Sequence, residues 1–265
     1  MQKLQVKILI LCSLCYGILA LPMPPKENEG GITPEDRKIA EVYLKKFYTF
    51  ANKSRNTFEE RLKEMQRFFR MKVTGKLDTA TMTMMKTPRC GMPDMAEVRA
   101  IPGRPIWEQT SLTYRFLNFT STLPQNMVTD SIKRAFDVWS QVTPLTFNQV
   151  GNDQAEIRIQ FSRRSHNDAG PFDGPNGVLA HAYFPGPGIG GDAHFDEDET
   201  WTISRAGYNL FLVAAHELGH SLGLEHSDVP SALMFPTYRY VNTDGYRLPQ
   251  DDIARIQALY GRRPT

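Results

Sequence analysis

The chain has 265 residues, enough for one or two compact domains, and its 41% hydrophobic and 23% charged content is ordinary for a globular protein with a sizeable core. The formal net charge is only +2 and no long Lys/Arg run occurs, which argues against nucleic acid as a partner. Six histidines and three cysteines are few enough that each needs an account.

At the start of the chain Lys3 and Lys7 precede the apolar run Ile8–Cys15, which ends at Ile18-Leu19-Ala20 before Leu21-Pro22. This is the layout of a secretory signal peptide over residues 1–20. The run is well short of the roughly 20 apolar residues of a spanning helix, and no other stretch is long enough, so no membrane anchor is expected. Cys12 and Cys15 leave with the signal. Cys90 then remains as a lone thiol, unusual in an oxidising compartment.

Residues 21–31 are rich in Pro, Glu and Gly. Three helical patterns follow. Glu35–Phe50 repeats apolar residues at Ile39, Val42, Tyr43, Phe47 and Phe50. Phe58–Phe69 does so at Leu62, Met65 and Phe69, and Asp78–Met85 opens on a good N-cap, Asp78, after a turn at Gly75. Together they predict a small three-helix domain. Pro88-Arg89-Cys90-Gly91-Met92-Pro93-Asp94 cannot continue a helix because of its prolines, and residues 94–105 read as an exposed linker.

From Trp107 the pattern changes. Ser111–Phe119 alternates like a strand, and Val128–Gln141 is an amphipathic helix with Ile132, Ala135, Phe136 and Trp139 inward. Leu145–Val150 and Ala155–Phe161 read as strands, and Asn167–Gly191 as a loop interrupted by a strand at Val178–Phe184. Tyr208–Leu222 is an apolar, buried helix. Gln250–Tyr260 is the last helix, opened by Pro249 and the acidic pair Asp251-Asp252.

Three histidines fall in His216-Glu217-Leu218-Gly219-His220-Ser221-Leu222-Gly223-Leu224-Glu225-His226. Helix positions four apart share a face, about 6 Å apart along the axis, so His216 and His220 can point at one metal. Gly223 takes a positive φ at no steric cost, ends the helix and lets the chain bring in His226. Imidazole suits Zn²⁺, and three protein ligands leave a fourth position for water, with Glu217 placed as general base. The other three, His166, His181 and His194, lie in a Gly- and Asp-rich stretch and with Asp168 complete a closed four-ligand set, which is structural. A bare HExxH occurs by chance. The eleven-residue pattern is far more specific and is the metzincin signature; Ala232–Pro236 follows as its Met-turn, with Met234 beneath the metal.

These motifs, with PRCGMPD upstream, resemble the matrix metalloproteinases over nearly the whole chain. The resemblance implies an α+β fold: a three-helix prodomain, then a metzincin catalytic domain with a twisted five-stranded mixed sheet and three helices. It divides the chain into a signal (1–20), a propeptide (21–98) and a zinc metalloprotease domain (99–265). In that family PRCGxPD is the cysteine switch, so Cys90 is expected to fill the fourth zinc position as a thiolate in the latent form, with Arg89 and Asp94 holding the loop by a salt bridge. Asn167 replaces the Gly of the family's structural-zinc motif without touching ligation.

The resemblance also implies calcium. Asp173, Gly174, Asn176, Val178, Asp196 and Glu199 resemble a first site of hard oxygen ligands. Gly188, Gly190 and Asp192 resemble a second, where Glu156 replaces an Asp and its longer arm is expected to weaken the site. Thr122 stands where a third site has an Asp, so that site is not expected. The implied complement is two Zn²⁺ and at least one Ca²⁺.

By the same resemblance, substrate lies extended along residues 178–184, against Leu179, Ala180 and Ala182, and Leu212 walls the pocket for the residue after the cut. The implied partners are extracellular matrix substrates, tissue inhibitors of metalloproteinases and activating proteases, for a secreted monomer. No Arg-x-Lys-Arg run precedes Trp107, so activation is expected outside the cell, by a cut between Asp94 and Ile106. In domain content the chain resembles the minimal, matrilysin-like form without a hemopexin-like domain, for which native triple-helical collagen should resist cleavage; the catalytic sequence resembles collagenases and metalloelastase at least as much, and a shortened form of a longer relative is the alternative. A zinc scaffold without catalysis is opposed by intact Glu217, and a permanent inhibitor by the cleavable linker. Asn52 and Asn118 lie in N-x-S/T sequons.

Overall fold

The computed structural model describes residues 31–94, 105–151 and 154–264. The signal segment and residues 95–104 of the linker, with the boundary at residue 98, lie outside the described residues; Asp94, expected at the start of an exposed linker, is buried. Among the described residues no helix is long and apolar enough to cross a membrane.

The prodomain is three helices with side-chain caps. Helix α1 (Pro34–Phe47) opens on a reciprocal capping box between Thr33 and Asp36 with proline at its first turn. Helix α2 (Phe58–Phe68) is capped by Thr57 and α3 (Thr79–Met85) by Asp78, as its sequence predicts. Buried Gln66 ties the turn before α3: its Oε1 accepts from Thr74 N at 2.8 Å and from Gly75 N at 2.9 Å, and Gly75 takes φ +66°.

The first helix corrects the sequence reading in one respect. Its inner face is Ala40, Tyr43, Leu44 and Phe47, and the helix ends three residues before Phe50. Ile39 and Val42 face outward, Val42 being 69% exposed. Both registers carry apolar residues, and packing against α2 and α3 selects the one with the aromatic pair. The prodomain core is not self-contained: Phe172 and Val178 from the second domain belong to the same buried cluster as Leu44, Leu62 and Met65.

The segment after α3 forms a two-residue strand, β1 (Arg89–Cys90). The second domain then runs β2 (Ser111–Phe116), α4 (Gln125–Ser140), β3 (Thr146–Gln149), β4 (Ile157–Ser162), β5 (Val178–Ala182), β6 (Ala193–Asp196), the short pair β7 (Trp201–Thr202) and β8 (Tyr208–Asn209), α5 (Leu210–Ser221) and α6 (Gln250–Tyr260). The main sheet has the order β1-β5-β6-β4-β2-β3. All neighbours are parallel except β5 and β6. The five-stranded mixed sheet expected for the catalytic domain is therefore present, and the switch segment adds a sixth strand at its edge.

Helix α5 is buried along its whole length, as the apolar run from Tyr208 requires, and packs on α4. Trp139 on α4 donates from Nε1 to the Ala215 carbonyl at 3.0 Å. The carbonyls at the end of α5 lack helical partners, and side chains supply them: Trp107 Nε1 donates to Ser221 and the Tyr260 hydroxyl to Leu222, both at 2.9 Å. The helix that carries the HExxH motif is thus held rigid from both ends, its start being capped by Asn209.

Candidate metal centres and the cleft between them

Gly223 breaks α5 where its spacing predicts, at φ +96°, and Leu224 N turns back to the Gly219 carbonyl at 2.9 Å. The returning chain brings His226 to His216 and His220. The three imidazoles and Cys90 place one ligand atom each within 4.8 Å of all the others, and all four residues are buried. Cys90 Sγ lies 3.5 Å from His220 Nε2. A tetrahedral zinc with ordinary Zn–S and Zn–N bonds separates two such ligands by about 3.6 Å. His216 Nε2 and His226 Nε2 are buried without a hydrogen-bond partner. Buried orphans of this kind are atoms that a bound cation would satisfy, and the residues fit zinc.

Burial pushes His216 down to about 3 and lowers His226, so both rings are neutral, the form that binds metal. The Nδ1 of His216 meets the Leu233 carbonyl at 2.7 Å and that of His220 the Leu224 carbonyl at 2.6 Å, which turns Nε2 of each toward the centre. Glu217 is 1% exposed and burial pushes its carboxyl up to about 8. Its Oε2 receives the Cys90 thiol at 3.4 Å, while Oε1 is an orphan. Burial, then the Glu217 carboxylate, push the Cys90 thiol well up, against the Met92 N–H and Arg89, which favour the thiolate.

Beneath the centre lies Met234, fully buried. A Cβ on Gly219 would stand 2.3 Å from its sulfur, so the glycine inside the HELGH sequence is required by the Met-turn and not by the helix. Asp252 fixes that turn, accepting from Leu233 N at 2.7 Å and Met234 N at 3.0 Å. Reading the sequence assigned Asp252 only to a helix start. The two orienting carbonyls, of Leu224 and Leu233, have no sequence signal at all.

The second cluster is His166, Asp168, His181 and His194. The antiparallel register of β5 and β6 sets His181 directly opposite His194, on the same face. All three rings approach one oxygen, Asp168 Oδ2, at 2.9, 2.9 and 2.8 Å for His166, His181 and His194. His166 Nδ1 is 2.8 Å from the Arg164 carbonyl, which can only accept, so Nδ1 donates there and a metal would be met by the lone pair at Nε2. That lone pair faces a carboxylate oxygen and has no hydrogen-bond partner, an opposition that a shared cation resolves. Burial lowers His181 and takes His194 down to about 4, again the neutral form. These four residues would fill a tetrahedral shell, so a zinc held there would be structural.

The oxygen-rich loops proposed for a first calcium site lie against one another. Backbone N–H groups of Gly174 and Asn176 reach the Asp196 and Glu199 carboxylates, and Val178 N donates to Asp173 Oδ1 at 2.9 Å. Asp196 Oδ2 and Glu199 Oε1 are buried orphans; burial and then neighbouring carboxylates push Glu199 up to about 7. At the second position Asp192 is buried and pushed up to about 6 by that burial, between the positive-φ turns at Gly188 and Gly191. Gly190 closes the same turn through Pro187. The Glu156 carboxylate is not brought to this site: its Oε2 accepts from Thr113 N at 2.7 Å and its Oε1 from Gln109 at 3.0 Å. Its carbonyl is what faces the loop, 3.1 Å from a Cβ placed on Gly191. A weakened site through a longer arm is therefore not the issue, because the arm points elsewhere. Thr122 is engaged with Thr120 and Trp201.

The cleft lies between the β5 edge and residues 236–238. Arg89 N donates to the Gly177 carbonyl at 2.8 Å and Gly91 N to that of Ala180 at 2.7 Å, so the switch segment takes the β5 edge. On its other side Cys90 N donates to Pro236 at 2.9 Å and Tyr238 N to Pro88 at 2.8 Å. The segment is gripped by backbone on both flanks, the way an extended peptide adds to a sheet edge. Arg89 and Asp94 pair as expected, Arg89 being 2% exposed. Burial opposes ionisation of Asp94, but Arg89 and a hydrogen bond from His226 hold it down at about 2. A cavity of about 460 Å³ opens beside Glu217, with Leu179 and Leu212 in its apolar wall. Ala180 and Ala182 are fully buried in β5.

Residues 106–261 match a family described as matrixin, and residues 33–85 one described as putative peptidoglycan binding domain. The chain is 51% identical over 250 residues to neutrophil collagenase of Homo sapiens, covering 91% of this chain and 52% of that protein. It is 49% identical over 270 residues to matrix metalloproteinase-18 of Xenopus laevis, covering 99% and 56%. To macrophage metalloelastase of Oryctolagus cuniculus it is 49% identical over 265 residues, covering 97% and 56%. The chain spans about half the length of these curated relatives.

Proposed function

The chain belongs to the matrixin family of metallopeptidases, and on that premise we propose that it is a secreted zinc- and calcium-dependent endopeptidase, made as a latent precursor, that cuts extracellular matrix and other extracellular proteins. The observation that carries the proposal is the convergence of three imidazoles and Cys90 beside an unpartnered Glu217 oxygen, in a cleft whose open side is a strand edge. His216, His220 and His226 hold the catalytic zinc, with Cys90 in the latent form; His166, Asp168, His181 and His194 hold a structural zinc. Asp173, Gly174, Asn176, Val178, Asp196 and Glu199 hold calcium, and Gly188, Gly190, Asp192 and the Glu156 carbonyl a second one.

Zinc held there supplies Lewis acidity for water and for the scissile carbonyl. The chain's own residues do the rest. The β5 edge takes over the peptide backbone once residues 89–91 have left it, aligning the scissile bond across the centre. Glu217, desolvated and therefore basic near neutrality, takes a proton from water and returns it to the leaving amine. The edge accepts one extended chain at a time, so the catalytic unit acting by itself should cut gelatin and leave native triple-helical collagen intact, whose three chains are wound together. Activating proteases cut the linker, and tissue inhibitors of metalloproteinases compete for the same edge.

Leu212 closes one wall of the cavity and decides how deep it is, so Leu, Met and large aromatic residues are accepted after the cut. A peptide series varied at that position, run on wild type and Leu212→Tyr, tests this. The tyrosine variant should lose the large aromatic substrates and keep the small ones; equal handling of aromatic residues would remove Leu212 from the pocket.

Zinc analysis of the activated enzyme should give two ions per chain. His181→Ala should leave one and speed proteolysis between residues 166 and 194, since a structural site contributes its binding energy to folding. One zinc in a fully active wild-type protein would refute the closed site.

A further inference from the structure

Each histidine of the catalytic centre has its Nδ1 fixed by one acceptor, but the acceptors differ in origin. Those of His216 and His220 are the Leu233 and Leu224 carbonyls, backbone of the catalytic domain itself. That of His226 is Oδ1 of Asp94, at 2.8 Å, a side chain of the switch segment. The side chains of both partners are 0% exposed. Asp94 is held in turn by Arg89, whose guanidinium lies 3.7 Å above the Phe47 ring of the prodomain core. In a neutral imidazole an acceptor at Nδ1 places the lone pair on Nε2, and a carboxylate acceptor fixes the ring and raises its basicity as a ligand. His226 Nε2, like His216 Nε2, is buried in the centre without a hydrogen-bond partner.

We propose that Asp94 is a positioning residue for the third metal ligand, so that the prodomain secures the zinc twice: directly through Cys90, and through Asp94 acting on His226. Removal of the prodomain then does more than free a coordination position. It leaves His226 as the one ligand stripped of its orienting acceptor, and the processed enzyme holds its catalytic zinc less tightly than the precursor. The proposal rests on the reading of His216, His220 and His226 as zinc ligands.

The test uses the full-length precursor carrying Glu217→Ala, which cannot process itself, and follows transfer of zinc to a chromophoric chelator. Asp94→Ala should lower the affinity for one of the two ions by about 10–100-fold, the usual effect of losing a ligand's outer partner. Asp94→Asn keeps an acceptor oxygen and should recover most of that loss. Arg89→Gln breaks the ion pair but keeps Asp94, and should cost less than Asp94→Ala. Equal losses in all three variants would reduce Asp94 to the ion pair alone, and unchanged transfer in Asp94→Ala would end the proposal outright.

A second measurement leaves Asp94 untouched. The Cys90→Ser, Glu217→Ala precursor lacks the thiol but keeps the His226 partner. Cutting away its prodomain with an added protease should speed zinc release at least about tenfold; equal rates before and after would overturn the proposal. A downfield His226 Nδ1–H resonance in the precursor, lost in Asp94→Ala, is the spectroscopic counterpart. If His226→Ala leaves both zinc ions bound as in wild type, it is the metal-centre reading that fails, which separates that failure from one at Asp94.

Discussion

Glu217→Ala is expected to leave both zinc ions bound and to abolish nearly all peptide hydrolysis, a loss of about 10²- to 10⁴-fold from the general-base contribution alone. The ligands do not depend on this side chain: His216 and His220 are oriented by backbone carbonyls, and the helix that carries them is anchored by Asn209 at its start and by Trp107 and Tyr260 at its end. The carboxyl itself has one oxygen on the Cys90 thiol and the other unpartnered, so nothing else in the fold requires it. Its burial is costly for an ionised group and is retained at the one place where a base is needed. The measurement is turnover of a quenched peptide by activated, zinc-loaded variant and wild type. Wild-type turnover in the variant would make the proposed mechanism wrong.

Cys90→Ser should convert a silent precursor into one that is active, or that processes itself, without any activator. The segment is held by the Cys90 contact to the centre, by backbone hydrogen bonds on both flanks and by the buried Arg89–Asp94 pair. Serine preserves everything except the thiolate, which is by far the better zinc ligand. Each ~1.4 kcal/mol removed from the closed state raises its open fraction about tenfold. The remaining backbone grip should therefore leave the serine variant below the activity of fully processed enzyme, but well above the wild-type precursor. Activity of the two intact precursors, compared before any cleavage appears on a gel, decides the matter. A serine precursor as inert as wild type would sink the switch.

The elements whose signal is local were legible in the sequence. The cap at Asp78, the start of α6 at Gln250 with acidic residues in its first turn, the apolar run of α5 and the break at Gly223 depend on residues within one or two turns of each other, and the structure has all of them, although no side chain caps α6. Part of the two histidine clusters was legible in the same way. His216 and His220 are brought together by helix geometry alone, and scarcity of histidine pointed to His166, His181 and His194 as a second group. Val42 shows the limit of periodicity, since two overlapping apolar registers run along α1 and only contact with the other helices chooses between them.

What the sequence by itself determined is the inventory: an α+β chain, a helical prodomain, two groups of histidines, Glu217 within the HExxH motif and the lone thiol of Cys90. Tertiary structure alone decided how these are connected. It turned the Glu156 carboxylate to Thr113, placed residues 89–90 as a sixth strand on β5, completed the prodomain core with Phe172 and Val178, and chose the acceptor for each imidazole, Asp94 for His226 among them. The physical reason is range. Helix spacing, capping and turn chemistry are interactions between near neighbours in the chain, so residue order specifies them. The acceptor of a buried Nδ1 lies as far as 132 residues away in the chain, and only the packing of the whole fold brings it there.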